Sequence, residues 1–589
     1  MGGSQTDVAA VAPVAQYTDT EFHQSKRSWP WLRPTGAYLL AGAIMMVVYV
    51  RLSMTYGLNS DSANILLMGN DLMHGNLLLH SWFMSDVSFY PTELVQYALL
   101  VAIFGLHAQT AHIAAGMTYT LVFLLAVALA RAGTAGRAAL IRTLIVGGIM
   151  LAPSFGLGVF ALDLSVGHIG TAVPLLLTWL LLDRVERTGR FSVRARWWVP
   201  AVAVIALAWV LMADPIVLVV GLLPLGVAAA IASARTIYRA GGSYRAGGSW
   251  QAGGWRDRIR AAWYPLSLIG AAGAAYELGS LACRLVHNAG GYSVNALPFH
   301  LTPLSSLHQN LPAAWKVLEI FGANVAGLGG VQLVLAILHL ASVAVVLAAM
   351  LIACLRYLRI SLIDQVLAIA IVVNVALYML TNASGLAAHE VAIIVPFGAV
   401  LAARILPRLR PRTRPRLWPR PRAAAALAIA GSSVLAGYTV GLGWELAQPA
   451  QPMQNTQLAT WLKQHHLSYG LSGYWTSGSV TIDGDAKVAV RALMQFKMQR
   501  DLWMADEAWY DPALHNANFI VLDSEPGYFT HWEPTALVKK YFGTPGRVYH
   551  DGQYTIEVWN HNLLPEIPWG QARPGELLAG QDPAGDVAA

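Results

Sequence analysis

Long apolar runs, separated by short polar turns and Arg-rich loops, recur along three quarters of this 589-residue chain. A bilayer crossing takes about 20 mainly apolar residues, and in hydrocarbon only helices and closed barrels satisfy their own backbone groups. Continuous apolar runs without strict alternation select helices. Charged residues make up only 12% of the chain and hydrophobic ones 56%, whereas soluble domains carry about 25% charged residues. The expected fold is therefore an all-α polytopic membrane protein. The net charge of +7 does not point to nucleic acid, because most Arg residues sit in short loops where they set membrane orientation.

Eleven spans are expected, near 36–50, 112–130, 143–162, 169–183, 198–213, 215–233, 262–282, 331–353, 362–380, 390–403 and 423–441. Lys26, Arg27 and Arg33 precede the first run, which keeps the N-terminus cytoplasmic. No A-x-A cleavage site follows that run, so it reads as an uncleaved first helix. Every Arg cluster then falls on the inner side, including the eight Arg residues of RILPRLRPRTRPRLWPRPR. Cys283 and Cys354 fall at opposite faces, so no disulfide is expected between them. The expected location is the plasma (inner) membrane, with the C-terminus outside.

Residues 1–30 read as a disordered cytoplasmic tail and 31–445 as the transmembrane domain, with an outer loop at 53–110 that holds juxtamembrane helices. The run LVQYALLVAIF reaches Gly105 too soon to span and reads as an interfacial or re-entrant helix. RAGGSYRAGGSWQAGGW reads as a flexible inner linker and 283–330 as a long outer loop. From about Gln451 the composition becomes that of a soluble domain. Helices are expected over TQLATWLKQHHL and TALVKKYFG, and strands over LSYGLSGYW, KVAVRAL, NFIVLD and YTIEVW. This makes 451–564 a small extracytoplasmic α/β domain, followed by a disordered tail over 565–589.

The stretch 56–93 holds four carboxylates (Asp61, Asp71, Asp86, Glu93) and no Lys or Arg. Asp61 lies just past the first span, in NSDSAN. Either Ser60 or Asp61 caps a juxtamembrane helix that stops at Gly75, or Asp61 is a general base with its pKa lifted by the apolar slab beside it; the two roles are compatible. Asp86, Tyr90 and Glu93 follow in SDVSFYPTE. Asp163 and His168, Asp214, and His389 with Glu390 fall on the same outer face. Each alone is an ordinary acid or histidine at a span end, but their accumulation on the face that lacks Arg marks a substrate-binding candidate. Outer cations are few. Arg284, Lys316, the loop histidines His287, His300 and His308, or a divalent metal would have to neutralise a bound phosphate. Tyr474, Trp475, Trp503, Trp509 and Tyr510 suit sugar stacking, although core packing is the first expectation for them.

The pattern resembles the membrane-embedded GT-C glycosyltransferases, nearest to protein O-mannosyltransferase and aminoarabinose transferase-like enzymes. The resemblance rests on Asp61 in NSDSANILLMGNDLMHGN, the 86–93 segment, Asp163 in ALDLSVGHIG, and HEVAIIVPFGAVLAAR. It implies a sugar transferred with inversion from a polyprenyl-phosphate donor to an acceptor hydroxyl outside the cytoplasm, the acceptor being protein, polysaccharide or lipid. By that resemblance Asp61 is the catalytic base and Asp163 a second acid shaping the site. Should a metal be used, these two are its candidate ligands. Related enzymes often carry a Lys before the proline where this chain reads Phe89-Tyr90-Pro91-Thr92-Glu93, which leaves the phosphate's partner to other groups.

Two other classes compete with this reading. A transporter or lipid flippase would show inverted repeats or interrupted spans in matched positions, and none is evident. A non-catalytic scaffold for envelope assembly would use the C-terminal domain to bind a partner.

Overall fold

The computed structural model describes residues 32–153, 167–188, 198–241, 243–244, 250–251, 254–296, 298–386, 388–409, 421–485, 487–526 and 531–568. The N-terminal tail, nearly all of the C-terminal tail, much of the linker and Asp163 lie outside them. Residues 1–44 form a unit of their own, of which 32–44 are the first half of helix α1 (Leu32–Ser53). Residues 45–589 form the second unit.

In that second unit the apolar runs are helical. In order they are α4 (Ala108–Arg131), α5 (Gly136–Met150), α6 (Ala172–Thr188), α7 (Trp198–Ala213), α8 (Leu223–Gly241), α9 (Trp255–Asn288), α11 (Gly330–Leu355), α12 (Leu362–Leu380), α13 (Ile394–Ile405) and α14 (Pro421–Leu446). Among the described residues, six helical runs are long and apolar enough to cross a membrane: Ala108–Arg131, Leu218–Ala240, Trp255–Asn288, Gly330–Leu355, Leu362–Leu380 and Ala388–Arg408. A π-helical turn, Leu218–Leu222, leads into α8.

Some boundaries differ from those expected, each for a local reason. Helix α5 begins before the expected span and takes in Arg137 and Arg142. The buried Arg142 donates to Ala130 O (2.8 Å), satisfying a carbonyl at the end of α4 that the helix leaves open. Helix α9 runs on to Asn288, so Cys283 and Arg284 are helical and the following loop starts at 289. Both cysteines are free thiols.

A buried ionic lock ties one end of the bundle. Arg404 of α13 is 1% exposed and donates to Asp364 Oδ1 of α12, Asp183 Oδ1 of α6 (2.7 Å) and Leu129 O of α4 (3.1 Å). Arg408 reaches the other Asp364 oxygen (2.6 Å) and Arg187 the other Asp183 oxygen (2.7 Å). The forked guanidinium suits this geometry, since it donates in several directions at once.

Between α1 and α4 lie two shorter helices, α2 (Ser60–Met73) and α3 (Glu93–Phe104), with strand β1 (Trp82–Met84) between them. Asn59, rather than Ser60 or Asp61, caps α2, its side chain accepting from Ser62 N (3.2 Å). Gly75 then turns the chain with φ +100°. Helix α3 has 12 residues, or about 18 Å of axis, well short of a hydrocarbon core about 30 Å thick. Gly105 stops it with φ +85°.

The C-terminal region is α/β. Strands β3 (Tyr469–Ser472), β4 (Ala489–Ala492), β6 (Phe519–Asp523), β7 (Arg547–Asp551) and β8 (Tyr554–Val558) form one sheet in the order β4-β3-β6-β8-β7. The first three are parallel, and β8 runs antiparallel to both its neighbours. All five residues of β6 are buried, as a central strand's apolar run requires. Helices α15 (Thr456–Gln464), α16 (Tyr474–Asp483) and α17 (Thr535–Phe542) complete it. The strand expected over LSYGLSGYW ends at Ser472, and Tyr474 opens α16. Strand β7 was not expected.

A second, three-stranded sheet is assembled from separate stretches of chain. Strand β1 pairs in parallel with β2 (Ser293–Val294) and antiparallel with β5 (Ala505–Asp506). Asn295 reinforces it by donating to Met84 O (2.6 Å) and Leu502 O (2.9 Å).

Candidate active site

Two polar constellations come out of this framework, and the expected site residues divide between them. The first surrounds Asp61. Because Asn59 serves the backbone at the α2 terminus, the Asp61 carboxylate is left for other partners. One of its oxygens accepts a hydrogen bond from the Tyr474 hydroxyl (2.5 Å), at the first position of α16. Helix α16 lies flush on α2, since a Cβ at Gly478 would meet the Asn64 side chain and Ser60 O. Tyr474 also touches Met504 Sδ (3.6 Å) and packs edge-to-face on Trp475 (5.2 Å). Asp61 is half-buried. Burial pushes its pKa above the ordinary value, against a smaller downward pull from the Tyr474 hydrogen bond. Asp501, whose charge also acts on Tyr474, is pushed up to about 6 by burial, tempered by the Trp503 amide.

The second constellation centres on His168. The segment 85–93 is strapped to the end of α7, where Phe89 N donates to Ala213 O (3.0 Å) and Ser88 Oγ to Met212 O (2.8 Å). Next in the chain is Asp214, 1% exposed. It accepts from Thr171 Oγ1 (2.6 Å) and the Ile216 amide (2.9 Å), and lies 2.8 Å from His168 Nδ1. The other nitrogen of His168 is 3.2 Å from Glu390, and His389 stands 3.7 Å from the other Glu390 oxygen. His168 holds a left-handed backbone, φ +60°, that residues with a Cβ seldom adopt. Burial pulls the imidazole down, but Asp214 and Glu390 outweigh it and hold the pKa well above the ordinary value.

Asp86 and Glu93 border the same cluster. Asp86 is pushed up to about 7, first by burial and then by Glu390, with His168 opposing. Glu93 opens α3, takes the Thr92 hydroxyl on one oxygen, and rests so close to Gly170 that a Cβ there would collide with it. Its other oxygen is buried without a hydrogen-bond partner among the described residues. Burial again is the main cause of a pKa near 7. For such a group the protonated form is favoured by folding. Its contribution to stability is full below about pH 4.5 and is lost as the pH rises through about 7. Glu93→Gln removes that loss. At pH 8 the variant is expected to be more stable than the parent by about 3 kcal/mol, at about 1.4 kcal/mol per pH unit. Thermal unfolding in detergent at pH 4 and pH 8 checks this, and equal shifts at both would contradict it.

The remaining candidates are placed elsewhere. Tyr90 packs edge-to-face on Tyr292 (5.6 Å). Arg284 is exposed on α9 and donates to Ser280 O of its own helix (3.3 Å). Lys316 gives its ammonium to Ser384 O, Gly385 O and Leu386 O (3.2, 3.3 and 2.9 Å), so its donors are spent on the turn ahead of His389. His287, His300 and His308 are exposed. Of the aromatic candidates, Trp509 packs on Trp82 (5.1 Å) and lies under Arg491 (3.8 Å), Tyr510 is buried, and Trp503 joins the apolar cluster around α2 and α3. Among the described residues, no three His, Cys, Asp or Glu side chains are arranged to hold a metal ion. Asp163, the candidate partner of Asp61 at a metal, lies outside the described residues.

No protein-family model matches the sequence, nor does any curated protein. Solved structures do share its fold. ArnT from Cupriavidus metallidurans bound to undecaprenyl phosphate superposes with a TM-score of 0.51 at 13% identity, over 90% of this chain and 98% of that one. The same protein in its apo state gives 0.50 at 14% identity, over 91% and 100%. At these identities the likeness is one of fold: the chain shares the fold of ArnT.

Proposed function

We propose that this chain is a membrane glycosyltransferase that moves a sugar from a polyprenyl-phosphate donor to an extracytoplasmic acceptor hydroxyl, with inversion and with Asp61 as general base. The observation that carries the reading is the setting of Asp61. It is a half-buried carboxylate with a lifted pKa, at the start of a non-spanning helix, with one oxygen held by Tyr474 and so oriented. A base of that kind takes the acceptor's hydroxyl proton while the acceptor oxygen bonds to the anomeric carbon. The carbon–oxygen bond to phosphate breaks on the opposite face, and the phosphate leaves with the electron pair, which inverts the centre.

In this reading there are eleven crossings, 31–445 is the membrane domain, and 451–564 stands outside the cytoplasm. A lipid-linked donor has to present its head group at the membrane surface while its tail stays in the bilayer. The 12-residue α3 offers a doorway of that kind, and the undecaprenyl phosphate bound by ArnT supports a polyprenyl-phosphate donor. The carboxylates of Asp86, Glu93 and Glu390 suit the hydroxyls of a sugar, which donate to them, while Asp214, its oxygens taken by Thr171, Ile216 and His168, holds the histidine. Within that cluster His168 supplies positive charge, kept there by its two carboxylate partners.

The reading is tested in cells that lack the chain and in the same cells with it restored, by mass spectrometry of their envelope glycans. A sugar missing from one glycan class and returned on restoration is expected; identical glycans would reject a transferase. Tyr474→Phe keeps the ring and removes the hydroxyl that orients Asp61. A hydrogen bond to a charged group contributes about 1.5–3 kcal/mol, so the turnover of the variant should fall about 10- to 100-fold, with the donor's KM unchanged. Parental turnover in Y474F would show that Asp61 is not oriented this way.

A further inference from the structure

Residues 298–315, between α9 and α11, turn Asn310 and Thr302 inward and several large apolar side chains outward, where His300, Ser305, His308 and Gln309 also lie exposed. On the inner side, the loop is pinned to the end of α12. Thr302 N donates to Leu380 O (2.9 Å), Asn382 N to His300 O (3.2 Å), and Asn382 Nδ2 to Pro298 O (2.9 Å). The buried Asn310 donates to Thr302 Oγ1 and Met379 O, both at 2.9 Å. Just beyond it, Lys316 of helix α10 (Ala313–Glu319) fastens the 384–386 turn. On the outer side, Leu304 is 89% exposed and Leu301 70%, and Phe299, Leu311 and Trp315 are each more than half exposed. So many large apolar side chains on one short segment make a patch that a water-facing loop does not carry without a partner.

The neighbouring helices indicate what covers it. Leu377 and Leu380 on the last turns of α12, and Val331 and Val334 on the first turns of α11, are also exposed. Both helices are long and apolar enough to cross a membrane, so these side chains belong to the lipid-facing surface. The loop's apolar side chains continue that surface past the helix ends. A Trp next to a Lys at such an edge, here Trp315 and Lys316, is the composition of a membrane–water boundary, where an indole ring sits at head-group depth. Hydrogen bonds to the end of α12 and to the turn after it hold the segment at that level.

We propose that 298–315 is an interfacial membrane anchor, inserted into the leaflet at which α12 ends. Its occupant is lipid. Through Lys316 the anchor is tied to the turn that precedes His389 and Glu390, so the depth of the loop and the position of that side of the acidic cluster are set together.

The test uses the full chain, with Cys283→Ser and Cys354→Ser, in phosphatidylethanolamine/phosphatidylglycerol vesicles. A nitroxide is attached at Leu304→Cys or, in a second variant, at Leu311→Cys. Leu514→Cys, exposed in the C-terminal region, serves as the aqueous control. Collision with oxygen, which concentrates in lipid, is compared with collision with a water-soluble nickel chelate. The oxygen-to-nickel ratio is expected to be several-fold higher at 304 and 311 than at 514. A ratio equal to that of the control would put the loop in water and overturn the proposal. Low accessibility to both reagents would overturn it too, showing that protein covers the patch. Neither outcome depends on sugar transfer.

Discussion

Asp61→Asn is expected to lower sugar transfer by about 100- to 10,000-fold, the range a positioned general base contributes. Folding and lipid binding should be unchanged. The amide is nearly isosteric and its oxygen still accepts from the Tyr474 hydroxyl, so the α2–α16 contact survives. What is lost is the site for the acceptor's proton. Transfer of radiolabel from a polyprenyl-phosphate sugar by the full chain in vesicles measures the effect, with thermal unfolding as the control for folding. Asp61 and Tyr474 are in direct contact, so their effects should not add. In the D61N background, Tyr474→Phe is expected to cost almost nothing further. More than a tenth of parental activity in a folded D61N protein would remove Asp61 from the reaction.

The second large effect is on stability. Arg404→Met is expected to destabilise the bundle by about 3–5 kcal/mol, because Asp183 and Asp364, both fully buried, would be left without their shared partner. Arg404→Lys should recover only part of this, since one ammonium cannot reproduce the fork that reaches α4, α6 and α12 together. Replacing Arg404, Asp183 and Asp364 together by apolar residues of similar volume should restore most of the stability, as is found for other buried ion groups. Unfolding in detergent reads all three. An R404M protein as stable as its parent would mean that water reaches the lock.

Much of this was legible in the chain because it depends on local or periodic signals. The apolar runs specify helices, and Gly105 cut α3 short as its position predicted. The acids and histidines of the 163–168, 214 and 389–390 turns were singled out together, and the structure brings His168, Asp214 and Glu390 into direct contact. The misses involve partners distant in sequence. Tyr474 meets Asp61 across 413 positions, and its segment looked like strand because Tyr and Trp favour strands. Packing against α2 makes it helical. The strand β7, Arg-Val-Tyr-His-Asp, is an edge strand with two residues half-buried and the rest exposed, so it lacks the apolar alternation that would reveal it. Arg404 was counted with the loop arginines, since a single charge gives no hint that two carboxylates of other helices wait for it. Lys316 was a phosphate candidate by scarcity alone, and three nearby carbonyls claim it.

The three-stranded sheet bears on how the chain reaches this state. Ser81, beside β1, bonds to Asp506 of β5 across 425 positions. During synthesis β1 therefore emerges with both edges bare; β2, at 293–294, can cover one, and the other stays open until β5, at 505–506, has been made. A bare edge is a template for wrong pairing, and contacts this remote form late. A chain truncated before Ala505 therefore leaves that edge of β1 without its partner strand.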